Sequence, residues 1–150
     1  MARLASLLPP ADSFILFIAR IALAILFLWG GAMKLLGYAG FVGYLHSKGV
    51  PYASYGAIVA TVIELLGGIA LVLGVRTRAV AFLLAVYAIV TAILGHDFWN
   101  MTQAAAQQEA VIHFWKNVAI AGGFLLLTVT GAGRASIDGM REPRGGGLRG

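Results

Sequence analysis

The chain contains no cysteine. That absence excludes disulfides, thiol catalysis and cysteine-held zinc or iron–sulfur centres, so a redox role has to run through a bound cofactor or another subunit. Charge is also scarce. Asp, Glu, Lys and Arg together make up 11% of the 150 residues, and only 6 of those residues are acidic. What fills the chain instead is apolar: 60% hydrophobic residues and a mean hydropathy of +0.88. This places it in the membrane class, as a single domain by length. The net charge of +5 does not point to nucleic acid. The basic residues fall at segment ends and in the tail, with no basic helix or aromatic-basic platform between them.

The longest apolar run, Tyr52 to Arg78, holds one carboxylate near its middle, Glu64. About 20 mostly apolar residues cross a hydrocarbon core of roughly 30 Å as a helix, so Glu64 is expected near mid-membrane. An ionised group there costs at least about 2.5 kcal/mol by insertion scales, and such residues face the bundle interior and find a partner. The first apolar segment, Phe14 to Met33, carries a single charge, Arg20. On antiparallel helices Arg20 would lie roughly 9 Å deep and Glu64 roughly 16 Å from the same face. An intramembrane Arg20–Glu64 ion pair is therefore the expectation, either fixing helix register or serving a proton or ligand. Gly56, Ala60, Glu64 and Gly68 recur every four residues, a small-residue stripe that lets membrane helices approach closely.

Read in order, residues 1–13 form a short cytoplasmic arm, and no cleaved signal peptide is expected because Arg20 interrupts the apolar run. A four-helix domain spans 14–132, with helices at about 14–34, 53–75, 79–95 and 112–132. The glycine- and tyrosine-rich stretch from Leu35 to Pro51 reads as an interfacial helix or loop, with Tyr38, Phe41 and Tyr44 loosely on one face. Ala81, Ala85, Ala88 and Ala92 form a stripe suited to tight packing. Residues 133–150 read as a flexible basic cytoplasmic tail. Arg3, Arg76, Arg78 and the tail arginines fall on one side, and Lys34, Lys48 and Lys116 on the other. The expected fold is all-α, an integral membrane four-helix up-down bundle with both termini cytoplasmic.

A second polar cluster lies at the outer ends of the third and fourth helices. His96, His113, Lys116 and Asn117, beside Trp99 and Trp115, make a candidate ligand or quinone pocket. Histidine exchanges protons near neutral pH, which reduction of a quinone carbonyl requires, and aromatic rings can flank a flat head group. An interfacial aromatic belt with histidine caps explains the same residues without a ligand. Asp97, Glu109 and the two histidines do not follow a metal-binding pattern, so no metal site is expected. No self-contained catalytic motif stands out, and the catalytic residues stay unassigned.

Five pieces in order, RIALAILFLWGGAMK, GVP, ELLGGIALVLGVRTR, HDFW and HFWKNVAIAGG, resemble the DoxX family of small bacterial inner-membrane proteins, over about Phe14 to Ala132. The resemblance implies a multi-pass protein of the bacterial inner (plasma) membrane. Some relatives are linked to quinone-coupled redox chemistry, as in the related DoxD subunit of a thiosulfate:quinone oxidoreductase, and others to oxidative-stress assemblies or quinone detoxification. The function this implies is a quinone- or redox-linked membrane subunit or quinone-binding protein, with quinone as the one cofactor suggested. Two alternatives stand beside it: a non-catalytic anchor or scaffold for a partner protein, and a small-solute transporter acting as an oligomer. The expected partners are the lipid bilayer, a second copy of the chain or a redox partner protein, and no nucleic acid.

Overall fold

A computed structural model describes residues 14–141; the expected arm at 1–13 and the tail beyond Arg141 lie outside the described residues. In chain order the elements are α1 (Phe14–Leu36), α2 (Tyr38–Ser47), α3 (Ala53–Leu73), α4 (Thr77–Gly95), a 3-10 turn at Phe98–Asn100, α5 (Ala104–Thr130) and α6 (Ile137–Arg141). The described residues contain no strand. Four helices, α1, α3, α4 and α5, are long and apolar enough to cross a membrane. A helix satisfies its own backbone hydrogen bonds, which hydrocarbon cannot do for it. Large apolar side chains therefore line the outer faces: Ile25, Leu66 and Leu126 are all exposed.

Consecutive long helices run antiparallel. On α1 and α3, Gly31 lies against Leu65 and Gly68 against Leu28, so residue numbers rise on one helix as they fall on the other. A Cβ on Gly68 would come within 2.7 Å of Leu28 Cγ, so the absence of a side chain there permits the approach. Between α3 and α4, Gly67 meets Leu84 and Glu64 meets Tyr87, again with numbers rising on one helix as they fall on the other. The ring of Phe27 on α1 packs edge-on against Phe124 on α5 at 5.1 Å and closes the bundle. The alanine stripe of α4 is wholly buried, at Ala81, Ala85, Ala88 and Ala92.

Several boundaries differ from expectation. Helix α5 starts at Ala104, a full two turns before residue 112, because AAAQQEA is made of strong helix formers. The interfacial stretch does contain a helix, α2, fastened by Tyr44 Oη donating to Gly95 O (2.8 Å) and Tyr38 Oη to Ser54 O (3.0 Å).

The largest departure is at the chain's end. Residues 131–141, expected in part as flexible tail, fold back over the α3–α4 turn. Asp138 accepts hydrogen bonds from the backbone N–H groups of Arg76 (2.9 Å) and Thr77 (2.7 Å), while its own N–H donates to Gly74 O (2.9 Å). A distant carboxylate thus caps the start of α4, where unpaired N–H groups and the helix dipole favour negative charge.

Candidate functional site

The core cluster, including Phe27, Leu71, Leu84 and Phe124, lies in the half of the bundle near the α3–α4 turn. In the other half, roofed by α2, the α1–α3 pair parts from the α4–α5 pair around a cavity of about 1000 Å³. Its wall is mostly apolar, with two polar groups set into it.

The first group is built on Glu64, which is 6% exposed. Lys34 Nζ donates to both carboxylate oxygens, at 2.9 Å to Oε1 and 2.8 Å to Oε2. Tyr87 Oη on α4 donates to Oε1 at 2.7 Å. The Lys34 ammonium also lies 5.3 Å from the centre of the Phe41 ring, so α2 contributes to its setting. Lys34, Glu64 and Tyr87 all line the cavity. A buried charge is tolerable only when paired and hydrogen-bonded, and Glu64 is both.

This arrangement corrects the expected Arg20–Glu64 pair. Helix α1 overhangs α3, so that Arg20 sits level with Gly74, ten residues and roughly 15 Å along the axis from Glu64. Arg20 is 1% exposed and donates to Ala132 O and Ala135 O, both at 2.7 Å, with its guanidinium 5.6 Å from the Phe17 ring centre. It is a clamp on the folded-back segment and takes no part in the cavity. The small-residue stripe of α3 is also divided. Gly68 packs on Leu28, whereas Gly56, Ala60 and Glu64 face the cavity.

The second group contains His96, His113, Lys116 and Asn117, which the structure brings to one end of the same cavity. The imidazoles of His96 and His113 stack at 5.1 Å with planes 19° apart, joining the end of α4 to α5. Lys48 pairs with Asp97, which also accepts from Asn100 Nδ2 at 3.2 Å, tying α2 to the loop after α4. Trp99 and Trp115 do not line the cavity. They form a separate edge-to-face cluster with Phe98 and Phe114 and are more than half exposed, the pattern of an interfacial belt. Among the described residues no cluster of three or more His, Asp or Glu could hold a metal ion.

Sequence reasoning missed Lys34 and Tyr87 as partners of Glu64. In the sequence Lys34 enters only as one of the lysines that mark one side of the membrane. The usable signal for Tyr87 is a lone phenol in the middle of the apolar α4, since a buried hydroxyl needs a partner.

The family model described as DoxX matches residues 15–97. The chain belongs to the DoxX family. It is 45% identical over 128 residues to inner membrane protein YphA of Escherichia coli K12, covering 85% of this chain and 91% of that protein. It is 38% identical over 121 residues to inner membrane protein YqjF of the same organism, covering 81% and 87%. No solved structure matches significantly. Both relatives are named inner membrane proteins, and this DoxX protein, with four helices able to cross a membrane, is a multi-pass protein of the bacterial inner membrane. The region matched by the DoxX model contains Lys34, Glu64, Tyr87 and His96, whereas His113 and Lys116 lie beyond it.

Proposed function

We propose that this DoxX protein binds a quinone-like ligand within the membrane, with the flat head group in the α2-end cavity. The observation that carries this reading is the cavity itself. At about 1000 Å³ it is at the upper end of the usual range for small-molecule sites, and it joins apolar walls to a few convergent polar groups. The two polar groups suit a head group with oxygen atoms at its edges. Lys34 and Tyr87 offer polar atoms beside Glu64, and His96, His113, Lys116 and Asn117 offer donors and proton-exchanging groups at the other position. A bound quinone supplies the electron-accepting chemistry that a chain without cysteine does not have. The protein's own part is to orient the ring, exclude water and hold protons near its oxygens. By the distribution of arginine and lysine, the α2 end faces away from the cytoplasm and both termini lie inside.

The test is the amount of quinone that co-purifies per chain after extraction in mild detergent, measured by mass spectrometry against an unrelated membrane protein prepared identically. About one quinone per chain is expected, with His113→Ala lowering it while the helical content stays unchanged. Background levels in the unaltered protein, together with no binding of added quinone in either its oxidised or its reduced form, would overturn the reading.

A further inference from the structure

The protein bonds around Glu64 are distributed unevenly over its two oxygens. Oε1 accepts from both Lys34 and Tyr87, whereas Oε2 accepts from Lys34 alone among the described residues. A carboxylate oxygen has two lone-pair sites, so Oε2 can accept one more hydrogen bond. Access to it is set by Gly30 on α1, which lines the cavity beside Glu64. A Cβ on Gly30 would stand 3.0 Å from Oε2, tighter than an ordinary contact, so the glycine keeps a side chain off that oxygen on the α1 side.

We infer that Glu64 Oε2, reached across Gly30, is an acceptor site for a ligand hydroxyl, so that the cavity prefers a phenol or hydroquinone over the corresponding quinone. The inference rests on the ligand reading above and names which form of the ligand the site selects. A phenolic O–H donates to the carboxylate, and such a charge-assisted bond is about twice as strong as a neutral one. A carbonyl oxygen at the same point meets a carboxylate oxygen, two acceptors facing each other. Tyr87 does not rescue it, because its O–H is committed to Oε1. Lys34 has a third N–H that can serve either form, and therefore does not discriminate between them.

The experiment compares three probes on the full chain in detergent under anaerobic conditions: a short-tailed benzoquinol, its benzoquinone, and the dimethyl ether of the quinol. The ether keeps the ring and has no O–H. Affinities are read by isothermal titration on the unaltered protein and on Gly30→Ala, whose methyl stands against Oε2 and near Lys34 Nζ (3.5 Å) while the Lys34, Glu64 and Tyr87 side chains themselves are kept. The quinol is expected to bind at least about tenfold more tightly than either other probe. In Gly30→Ala this difference should fall below about threefold, with ether binding retained. Equal binding of all three probes to the unaltered protein overturns the hydroxyl preference and leaves the ligand reading standing. A full preference surviving in folded Gly30→Ala overturns the assignment to Oε2. Binding of none of the three overturns both readings. If Gly30→Ala does not fold, Glu64→Gln is measured in its place. It exchanges the charged acceptor for a neutral amide, and an unchanged preference there again rejects the assignment.

Discussion

Glu64 shows how a carboxylate is kept inside a membrane protein. Its charge is answered by one ammonium and one phenol, from helices on either side of the cavity. Breaking such a pair on one side is more harmful than removing it altogether, because the remaining charge stays buried. Lys34→Met is therefore expected to destabilise the protein by about 3 kcal/mol or more. Tyr87→Phe should cost about 1 kcal/mol, as interhelical hydrogen bonds in membranes do. The double variant Lys34→Met with Glu64→Leu should recover most of the loss of the single lysine change. Thermal unfolding in detergent measures all three, and a double variant no more stable than Lys34→Met would show that the pair stabilises the bundle. The change Arg20→Met, by contrast, acts at the opposite end of the bundle, on the carbonyls of Ala132 and Ala135.

Helices α3 and α4 meet at a turn whose geometry depends on a segment more than sixty positions later. Gly74 ends α3 with φ +66°, a left-handed conformation that glycine adopts without penalty. Its missing side chain also makes room for the returning chain, since a Cβ would lie 2.3 Å from Ser136 Cβ. Gly74→Ala is expected to cost at least about 1 kcal/mol from backbone conformation alone, with the clash added. Its check is the loss of folded protein recovered in detergent. Asp138→Ala removes the cap on α4 and should cost about 1 kcal/mol. Hydrogen exchange should then quicken at the amides of Arg76 and Thr77, while those in the middle of α4 stay protected. Unchanged exchange at those two amides would mean that the cap contributes nothing.

Across the molecule the bundle is asymmetric along its axis. It is packed at the α3–α4 turn, where Phe27, Leu71, Leu84 and Phe124 fill the centre, and hollow toward α2. The hollow end carries Lys34, Lys48, His96, His113 and Lys116, and the packed end carries Arg20, Arg76 and residues 131–141. The proposed orientation sets the packed end on the cytoplasmic side. Because the chain has no cysteine, single cysteines report on this without background. Gln107→Cys at the hollow end should react with a membrane-impermeant thiol reagent in intact spheroplasts. Met140→Cys, on a residue exposed at the packed end, should react only after lysis. The reverse pattern would invert the topology.

Much of this protein is legible in its sequence. Apolar runs of membrane length dictate four spanning helices, since no other open structure satisfies the backbone in hydrocarbon. The alanine stripe announced a packed face, and the ordered motifs announced the family. Glu64 was recognisable as a residue that must be paired, because burial of an isolated charge is prohibitive. Its partner was not recognisable. Which of Arg20 or Lys34 reaches it depends on how far α1 slides along α3, and that register comes from Gly31 and Gly68 meeting Leu65 and Leu28. Such close packing contacts involve both helices at once: Gly68 shows in the sequence as one member of a four-residue stripe, but nothing in α3 says which residue of α1 it receives. The same holds for Asp138, whose local sequence reads as tail until the α3–α4 turn is there to receive it, and for the cavity, which exists only because two well-packed helix pairs part at one end.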